Sequence, residues 1–376
     1  MPTRRKEGPL HRQIAEKIRQ EILKGTFTEG AQLPTEMELV KRFSASRPTV
    51  GQALRQLQFE GLIERRAGAG TFVRRAAGDA GGRGGLWGLI IPGLGNTEIF
   101  EPICAEIAVQ ARQHGANLLW SADARQNLAP AEQAMDLCQQ CLRGKVNGVF
   151  FAPLELTEHK DDVNRRIVDS LGNSGIPVVF LDRDLHPAPR RSGYDLVSMD
   201  HFSAGLMVTA HLLQQGARSP RFVAPPRSAS SVGLRIAGFR EALAQHGVPA
   251  QKKHVCIGDA GDAAFVSDLV QQADAVVCAN DHTAAHLLRA LERQGVRVPR
   301  DLRLAGFDDT KYATLLSVAL TTIHQPCREI GRVAALTMLE RIGNPHLPPR
   351  QILLGGELVV RDSCGAGKRD RGTRNE

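Results

Sequence analysis

A glycine-rich segment near residue 80 divides this 376-residue chain and constrains its fold more than any other feature. Five of the ten residues from Ala76 to Gly85 are glycine, and ordering such a segment as a helix or strand costs too much conformational entropy. We therefore predict a flexible linker at residues 76–86. It separates a small domain, residues 1–75, from a larger one, residues 87–362, and residues 363–376 are predicted to be a polar, basic, disordered tail.

Most of the positive charge lies ahead of this linker. Residues 1–78 carry 15 lysines and arginines against 8 aspartates and glutamates, a net charge of +7, whereas the whole chain has a net charge of +8. A compact basic module attached to a nearly neutral body is typical of nucleic-acid-binding proteins. The charge distribution therefore predicts that the small domain binds nucleic acid.

Hydrophobic periodicity predicts three helices and a hairpin in the small domain. A helical stripe of apolar residues ends at Gly25, Thr35 and Glu38 form a capping box for a second helix, and Ser46 caps a third. Two short strands around a glycine-containing tip follow, at residues 62–66 and 71–75. Three helices and a basic hairpin together predict a winged helix-turn-helix.

Beyond the linker, apolar strands alternate with helices. The predicted strands are residues 86–91, 117–120, 148–152, 177–181, 221–223, 275–278 and 302–305, and the helices between them include residues 100–114, 203–215, 234–246 and 283–294. This alternation predicts doubly wound parallel sheets covered on both faces, and the length suits two lobes. We therefore predict an α/β multidomain protein, with a ligand at the carboxyl ends of the strands.

Several protein classes are disfavoured by the sequence. The seven cysteines predict reduced thiols, and Cys138 and Cys141 form a CxxC inside a helical pattern that favours a structural role over a redox or metal site. No apolar run approaches the roughly 18 residues of a membrane span, and Met1–Pro9 does not resemble a signal peptide. We therefore predict a cytoplasmic protein that has no membrane partner, no cofactor and no metal. Gly93-Leu94-Gly95 alone is a weak nucleotide-binding signal.

The small domain resembles the DNA-binding domain of the GntR family. The resemblance rests on Leu33–Glu36, Ser46–Val50, Glu60–Ile63 and Gly68–Val73. It implies that the third helix enters the major groove with its N-terminal end and that the hairpin approaches the minor groove. The predicted contacts to double-stranded DNA are Thr35, Glu36, Arg47, Thr49, Gln52, Arg65, Arg66, Gly68 and Gly70. The family commonly has arginine where this chain has Met37 and Gly51, which predicts a different operator preference.

The larger domain resembles the sensor domain of the LacI family, which shares its fold with periplasmic sugar-binding proteins. The landmarks are Phe180–Arg183, Arg235, Ala279–Asp281, Gly306–Asp309 and Leu320–Pro326. With the small domain, they resemble the arabinose-repressor type of GntR regulator. The resemblance implies polar ligand contacts at Asp182 or Arg183, Arg235, Asn280 and Asp308, with Asp281, Asp309 and Gln325 as second choices. Phe100, in the loop after the first strand of this domain, is a predicted contact with the sugar ring. For Asp281 and Asp309, a helix-capping role is the alternative.

Together, these features predict a homodimeric transcriptional regulator. A small molecule, with a monosaccharide as the first choice, closes the two lobes and changes the spacing of two DNA-binding heads. The resemblance implies repression, and activation is the alternative. The DNA-binding head argues against a sugar-binding transport component, and no nucleophile with a paired base indicates an enzyme. The sequence leaves pentose, hexose, deoxy-sugar and nucleoside effectors open.

Overall fold

The structure, a computed structural model, describes residues 10–23, 26–27, 30–59, 63–66, 70–73, 85–92, 94, 98–120 and 128–366. The chain divides into two compact units, residues 1–84 and 85–376. The predicted hairpin tip at residues 67–69 and most of the predicted linker and tail lie outside the described residues.

The first unit is the predicted winged helix-turn-helix. It consists of α1 (Leu10–Leu23), α2 (Glu36–Phe43), α3 (Arg47–Phe59), β1 (Ile63–Arg66) and β2 (Gly70–Val73), and the two strands are antiparallel. The capping box at α2 is confirmed, since Thr35 Oγ1 accepts a hydrogen bond from Glu38 N at 3.3 Å and Glu38 Oε2 accepts one from Thr35 N at 2.8 Å. Buried apolar side chains from all three helices and both strands form one core.

The second unit contains the alternating strands and helices that the sequence predicts. In chain order the elements are β3 (Leu86–Ile90), α4 (Phe100–Gln113), β4 (Asn117–Leu119), α5 (Pro130–Arg143), β5 (Gly148–Phe151), α6 (Lys160–Asn173), β6 (Val178–Leu181), β7 (Asp195–Met199), α7 (His201–Gln214), β8 (Pro220–Ala224), α8 (Ser230–Gln245), β9 (Val255–Ile257), α9 (Ala263–Gln272), β10 (Ala275–Cys278), α10 (Asp281–Arg293), β11 (Arg303–Ala305), β12 (Thr322–His324), α11 (Cys327–Gly343), β13 (Gln351–Leu354) and β14 (Glu357–Val359).

These elements build two lobes around two parallel sheets. Lobe one has the strand order β13-β7-β6-β5-β3-β4, and lobe two has the order β11-β10-β8-β9. Each sheet has a buried apolar cluster on either face, as two-sided helical cover requires. The chain passes between the lobes three times, after β7, after β12 and after β13, so residues near these crossings are positioned by both lobes.

The second unit extends beyond residue 362, where the sequence predicts a disordered tail to begin. Asp362–Cys364 form a 3₁₀ turn, and Ser363 and Cys364 are completely buried. The Ser363 hydroxyl donates to Leu304 O at 2.6 Å and accepts from Thr321 N at 2.8 Å. These hydrogen bonds join the turn to lobe two, so the tail boundary at residue 363 is corrected to a later position.

All seven cysteines lie in the described part of the chain and are free thiols. Cys138 and Cys141 are buried on α5, and burial raises the pKa of the Cys141 thiol to about 12. Among the described residues, we find no cluster of three or more potential metal-ligating side chains and no helix with the length and apolarity of a membrane span.

Helices α7 and α8 pack with their backbones in contact, because Gly205 on α7 faces α8 and Gly238 on α8 faces α7. A Cβ atom on Gly238 would lie 2.0 Å from Phe202 O, and one on Gly205 would lie 2.2 Å from Arg235 O. Both distances are far below any normal contact. Since α7 begins with His201 and α8 carries Arg235, this close packing also fixes the spacing between those two side chains.

We expect Gly238→Ala to destabilise the second unit by about 3 kcal/mol, because the added methyl group meets backbone that cannot move aside. Gly233→Ala is the matched control: it lies on the same helix with no atom within 4 Å of the added methyl, and the change should stabilise by up to about 1 kcal/mol. Urea unfolding of both variants measures the difference. Equal stabilities would contradict the close packing.

Candidate functional site

Polar side chains of the second unit gather where several strands end. Asp182 follows β6 in lobe one, whereas Asn280 and Asp308 follow β10 and β11 in lobe two. Asp182 and Asp308 both have positive φ angles, 69° and 110°. Non-glycine residues in this region cost about 1–3 kcal/mol each and are concentrated at functional sites. The backbone at these strand ends therefore supports the predicted location of the site.

Arg235 on α8 is held from several sides. Its Nε donates to His201 Nδ1 at 3.2 Å, its Nη1 donates to Ala279 O at 2.5 Å, and its Nη2 donates to Asp308 Oδ1 at 3.5 Å. The guanidinium carbon lies 4.5 Å from the centre of the Phe307 ring. All three nitrogens have acceptors, so the planar group is fixed in both position and orientation.

His201 links the residues of the two lobes at the first crossing. Because Nδ1 accepts from Arg235, the ring proton resides on Nε2, which lies 3.0 Å from Ser198 Oγ and 3.2 Å from Asp182 O. Burial and the Arg235 charge lower the pKa of His201. The imidazole is therefore neutral and joins a strand end of lobe one to the arginine of lobe two.

Asp182 is ionised although its side chain is buried. Burial alone would raise its pKa, but the His201 hydrogen bond and the charges of Arg183 and Arg235 outweigh it and hold the pKa below its ordinary value. Arg183 Nη1 lies 3.5 Å from Asp182 Oδ2. The site thus contains a carboxylate that accepts hydrogen bonds at any pH above the strongly acidic range.

Asp308 and Gln325 form the other acidic part of the site. Gln325 Nε2 donates to Asp308 Oδ1 at 2.7 Å, and Gln325 lies at the second crossing between the lobes. Burial raises the pKa of Asp308 to about 6, although the Arg235 charge and the Gln325 hydrogen bond favour the ionised form. Near neutral pH the Asp308 carboxylate is therefore ionised, although its buried surroundings stabilise the negative charge less well than water does.

Two buried acceptor oxygens of the site are incompletely satisfied. Gln325 Oε1 accepts no hydrogen bond from any described residue, and Asp182 Oδ1 lies 3.3 Å from His201 Nε2, a donor that it shares with Ser198 Oγ and Asp182 O; the two residues are 1% and 3% exposed. A buried acceptor without a donor costs about 1–3 kcal/mol. Both atoms are held in place by the other contacts of their side chains, so the site presents fixed acceptors that suit hydroxyl donors.

Asn280 and Asp281 have protein partners for their acceptor oxygens. Asn280 caps α10, since its Oδ1 accepts from Thr283 N at 2.8 Å. Asp281 is fully buried, with Oδ1 accepting from Thr322 Oγ1 at 2.6 Å and Oδ2 accepting from Thr310 N at 3.0 Å. These contacts support the strand ends of lobe two.

Asp309 is likewise engaged within lobe two. One carboxylate oxygen accepts from Arg361 Nη2 at 2.6 Å, and the other lies 3.0 Å from His324 Nδ1. Its φ angle is also positive, 53°.

Phe100 lies beneath the site rather than on its surface. It is the first residue of α4, is 2% exposed and belongs to the core of lobe one. The guanidinium carbon of Arg183 lies 5.5 Å from the centre of its ring. The phenyl ring is therefore a core side chain that packs against Arg183, and in this structure it is not exposed for the predicted contact with a sugar ring.

The structure adds two residues that the sequence analysis does not include, His201 and Glu155. Glu155 Oε1 accepts from Arg183 Nη1 at 2.5 Å, and its Oε2 accepts from Ala229 N at 3.1 Å across to lobe two. Glu155 follows β5 by four residues and His201 follows β7 by two. Both positions satisfy the strand-end rule, which was the available signal.

In the first unit, the predicted DNA contacts lie on α2, α3 and the hairpin. Arg47 is the first residue of α3, its side chain is 75% exposed, and its Nε lies 3.3 Å from Glu36 Oε2. Thr35 and Gln52 are exposed, and Thr49 is half-buried beside Ser46, with 2.7 Å between the two hydroxyl oxygens. An exposed cation and two exposed polar side chains therefore lie around the start of α3.

The hairpin is described only in part. Arg65 and Arg66 pair with Thr71 and Gly70 in the antiparallel ladder, but their side chains lie outside the described structure, as does Gly68. Gly70 has a φ angle of 117°, where a side chain would be strained and would collide with Gln32. The glycine at this position is therefore required by the backbone of the hairpin.

Comparison with known proteins matches each unit separately. Residues 10–73 match the profile of the bacterial regulatory proteins of the gntR family, and residues 209–364 match the profile of the periplasmic binding protein-like domain. The arabinose metabolism transcriptional repressor of Geobacillus stearothermophilus is 28% identical over 369 residues, which cover 94% of this chain and 97% of that protein.

Two solved structures are similar in fold to most of this chain. The transcription regulator GntR from Chromobacterium violaceum has a TM-score of 0.58 and 26% identity, over 74% of this chain and 99% of that chain. The CelR–cellobiose complex has a TM-score of 0.63 and 21% identity, over 88% of this chain and 100% of that chain. Because the CelR–cellobiose complex is only 21% identical to this chain, its likeness shows the fold alone. The two family profiles and the two solved structures together confirm the predicted fold class.

The two buried aspartates of lobe two should make stability depend on pH. Burial and the charge of Asp308 raise the pKa of Asp281 to about 7, and that of Asp308 is about 6. Since both values exceed the ordinary 3.8 of an unfolded aspartate, the folded state binds more protons in this range. Stability should therefore fall as the pH rises from about 4 to about 7.

We expect Asp281→Asn to reduce the loss of stability between pH 5 and pH 8 by about 1 kcal/mol or more, because one buried group no longer ionises. Asp301→Asn is the control: Arg297 hydrogen-bonds the exposed Asp301 and lowers its pKa to about 2, outside this window. Thermal unfolding at both pH values provides the measurement. Parallel curves for wild type and Asp281→Asn would show that Asp281 does not titrate as described.

Proposed function

We propose that this chain, in which a GntR-family DNA-binding domain precedes a periplasmic-binding-protein-like domain, is a transcriptional repressor controlled by a monosaccharide bound between the two lobes. The observation that carries the proposal is the unpartnered buried acceptor Gln325 Oε1, together with the incompletely satisfied Asp182 carboxylate, beside a fixed arginine. The similarity to an arabinose metabolism repressor over nearly the whole chain supports it. That relative and the matched structures are regulators, and we propose no catalytic step.

The chemistry of the cleft suits a polyhydroxylated ligand. Neighbouring hydroxyl groups of a sugar donate to fixed carboxylate and amide oxygens and accept from arginine and amide nitrogens. Asp182 and Asp308 supply acceptors from opposite lobes, whereas Arg183 and Arg235 supply donors. A ligand that bonds to both lobes at once stabilises the closed arrangement over an open one.

Contacts outside the ligand residues also hold the lobes together. Leu156 N of lobe one donates to Arg227 O of lobe two at 2.9 Å, and Ser230 Oγ of lobe two donates to Asp184 O of lobe one at 2.7 Å. Leu156 and Arg227 both have φ angles of 60°, a strained conformation for these residue types. We infer that ligand binding offsets this strain and thereby couples the sugar to lobe closure.

We propose that two copies of the chain bind one operator, because a paired head is the usual way for a helix-turn-helix to read two half-sites. In this scheme, lobe closure alters the spacing of the two heads and releases the DNA. The protein acts in the cytoplasm, where its DNA is.

A thermal-shift screen of the purified protein against pentoses, hexoses and deoxy-sugars tests the ligand assignment. A sugar at 100 times its dissociation constant adds about 2.7 kcal/mol to the folded state. We expect Arg235→Ala to lose the shift and Arg297→Ala, whose arginine pairs with Asp301 on the surface, to retain it. Failure of every sugar to shift the melting temperature would overturn the assignment.

The DNA assignment has its own test in α3. We expect Arg47→Ala to weaken binding at least about tenfold to duplexes that the wild-type protein selects from a random-sequence pool, since a base-contacting arginine contributes about 1–3 kcal/mol. Arg19→Ala on α1 removes the same charge elsewhere in the domain and should bind nearly as well. Electrophoretic mobility shift measures both. Equal losses of DNA affinity in the two variants would mean that binding depends on the total charge of the domain and not on the position of Arg47.

A further inference from the structure

The cleft contains a carboxylate of the protein itself at a position suited to an anion. Glu155 Oε2 accepts from Ala229 N, the capping residue of the 16-residue helix α8, and Glu155 Oε1 accepts from Arg183 Nη1. A helix N-terminus and a guanidinium group together form a ready-made anion-binding position. In this structure Glu155 fills that position.

The two guanidinium groups of the cleft are already paired with protein carboxylates: Arg183 Nη1 lies 2.5 Å from Glu155 Oε1 and 3.5 Å from Asp182 Oδ2, and Arg235 Nη2 lies 3.5 Å from Asp308 Oδ1. Arg183 also donates from Nε to Pro153 O at 2.8 Å, and the three nitrogens of Arg235 donate to His201, Ala279 and Asp308. Asn280 caps the N-terminus of α10 through Thr283 N. Among the described residues of the cleft, both positive charges are therefore balanced by protein carboxylates before an anion arrives, although each guanidinium group keeps N–H groups that can donate to a neutral hydroxyl.

The remaining charge of the cleft repels anions. Asp182, Asp308 and Glu155 supply three carboxylates against the two guanidinium groups. The pKa of Asp308 is raised first by burial, and the charges of Asp182 and Glu155 raise it further, so the three groups sense one another. A phosphate or carboxylate brought among them would meet repulsion at low dielectric. A phosphate or carboxylate group would also provide few donors for the acceptor oxygens Asp182 Oδ1 and Gln325 Oε1.

We propose that Glu155 is a specificity-determining residue that restricts the ligand to uncharged polyols and rejects phosphorylated and carboxylated sugars. The inference rests on the proposed function, because it concerns the same cleft. Glu155 acts by occupying the anion position and by adding its own charge. A neutral hydroxyl group, in contrast, can donate to the carboxylates without displacing Glu155.

Isothermal titration of matched ligand pairs tests the proposal on the full-length protein. The probes are ribose with ribose 5-phosphate, and glucose with glucose 6-phosphate and gluconate. We expect the wild type to bind the neutral member at least about tenfold more tightly, equivalent to about 1.4 kcal/mol. Glu155→Gln keeps the shape of the side chain but removes its charge and frees Arg183. The variant should reduce the preference for the neutral sugar over the anionic one at least about tenfold, mainly because it binds the anionic sugar more tightly.

Glu329→Gln is the matched control. Glu329 also pairs with an arginine, Arg332, but on the exposed face of α11, so this variant should keep the wild-type preference. A second measurement covers the case in which Glu155→Gln binds all sugars weakly. Inorganic phosphate should then stabilise Glu155→Gln against thermal unfolding more than it stabilises the wild type.

The outcomes separate this inference from the proposed function. A wild-type preference for a phosphorylated or carboxylated sugar, or an unchanged preference in Glu155→Gln with no added phosphate stabilisation, would overturn the role of Glu155 while leaving a sugar-controlled regulator intact. If neither neutral nor anionic sugars bind, in this titration and in the thermal-shift screen, the proposed function itself is overturned.

Discussion

The fixed guanidinium group of Arg235 is the interaction on which the geometry of the sensor depends. Through its three nitrogens it joins the first crossing between the lobes, at His201, to the ends of two strands in lobe two, at Ala279 and Asp308. Gln325 at the second crossing donates to the same Asp308. The proposed ligand residues and the crossings therefore form one hydrogen-bond network, through which a bound ligand would act on the segments that join the lobes.

This network is possible only because two helix backbones touch. Gly205 and Gly238 let α7 and α8 approach until a methyl group would not fit between them, which brings His201 and Arg235 within hydrogen-bond distance. Burying an arginine and several carboxylates is costly unless each is paired. The positive φ angles of Asp182 and Asp308, the raised pKa of Asp308 and the unpartnered Gln325 Oε1 show that the site retains part of this cost.

The sequence predicts the strands and helices whose patterns are local. It does not predict β7, because Asp195 and Ser198 interrupt the apolar run, yet every residue of this strand is buried. The partners of the Asp195 carboxylate lie far along the chain: the guanidinium group of Arg341 donates from Nε at 2.9 Å and neutralises the charge, and the backbone amide of Arg350 donates at 2.8 Å. A buried charge is acceptable only with such partners, and no local pattern reveals partners that lie about 150 residues away.

The site shows the same difference between residues that a local sequence pattern predicts and residues whose role depends on contacts with distant parts of the chain. Asp182 and Asp308 follow predicted strands and match the family landmarks, so both lines of reasoning select them. Glu155 lacks a landmark, and its importance comes from the amide of Ala229, which only the folded arrangement of the lobes brings near. Residues that bond to a ligand are thus easier to recognise from sequence than residues that decide which ligand is rejected, because rejection depends on how existing charges are already paired.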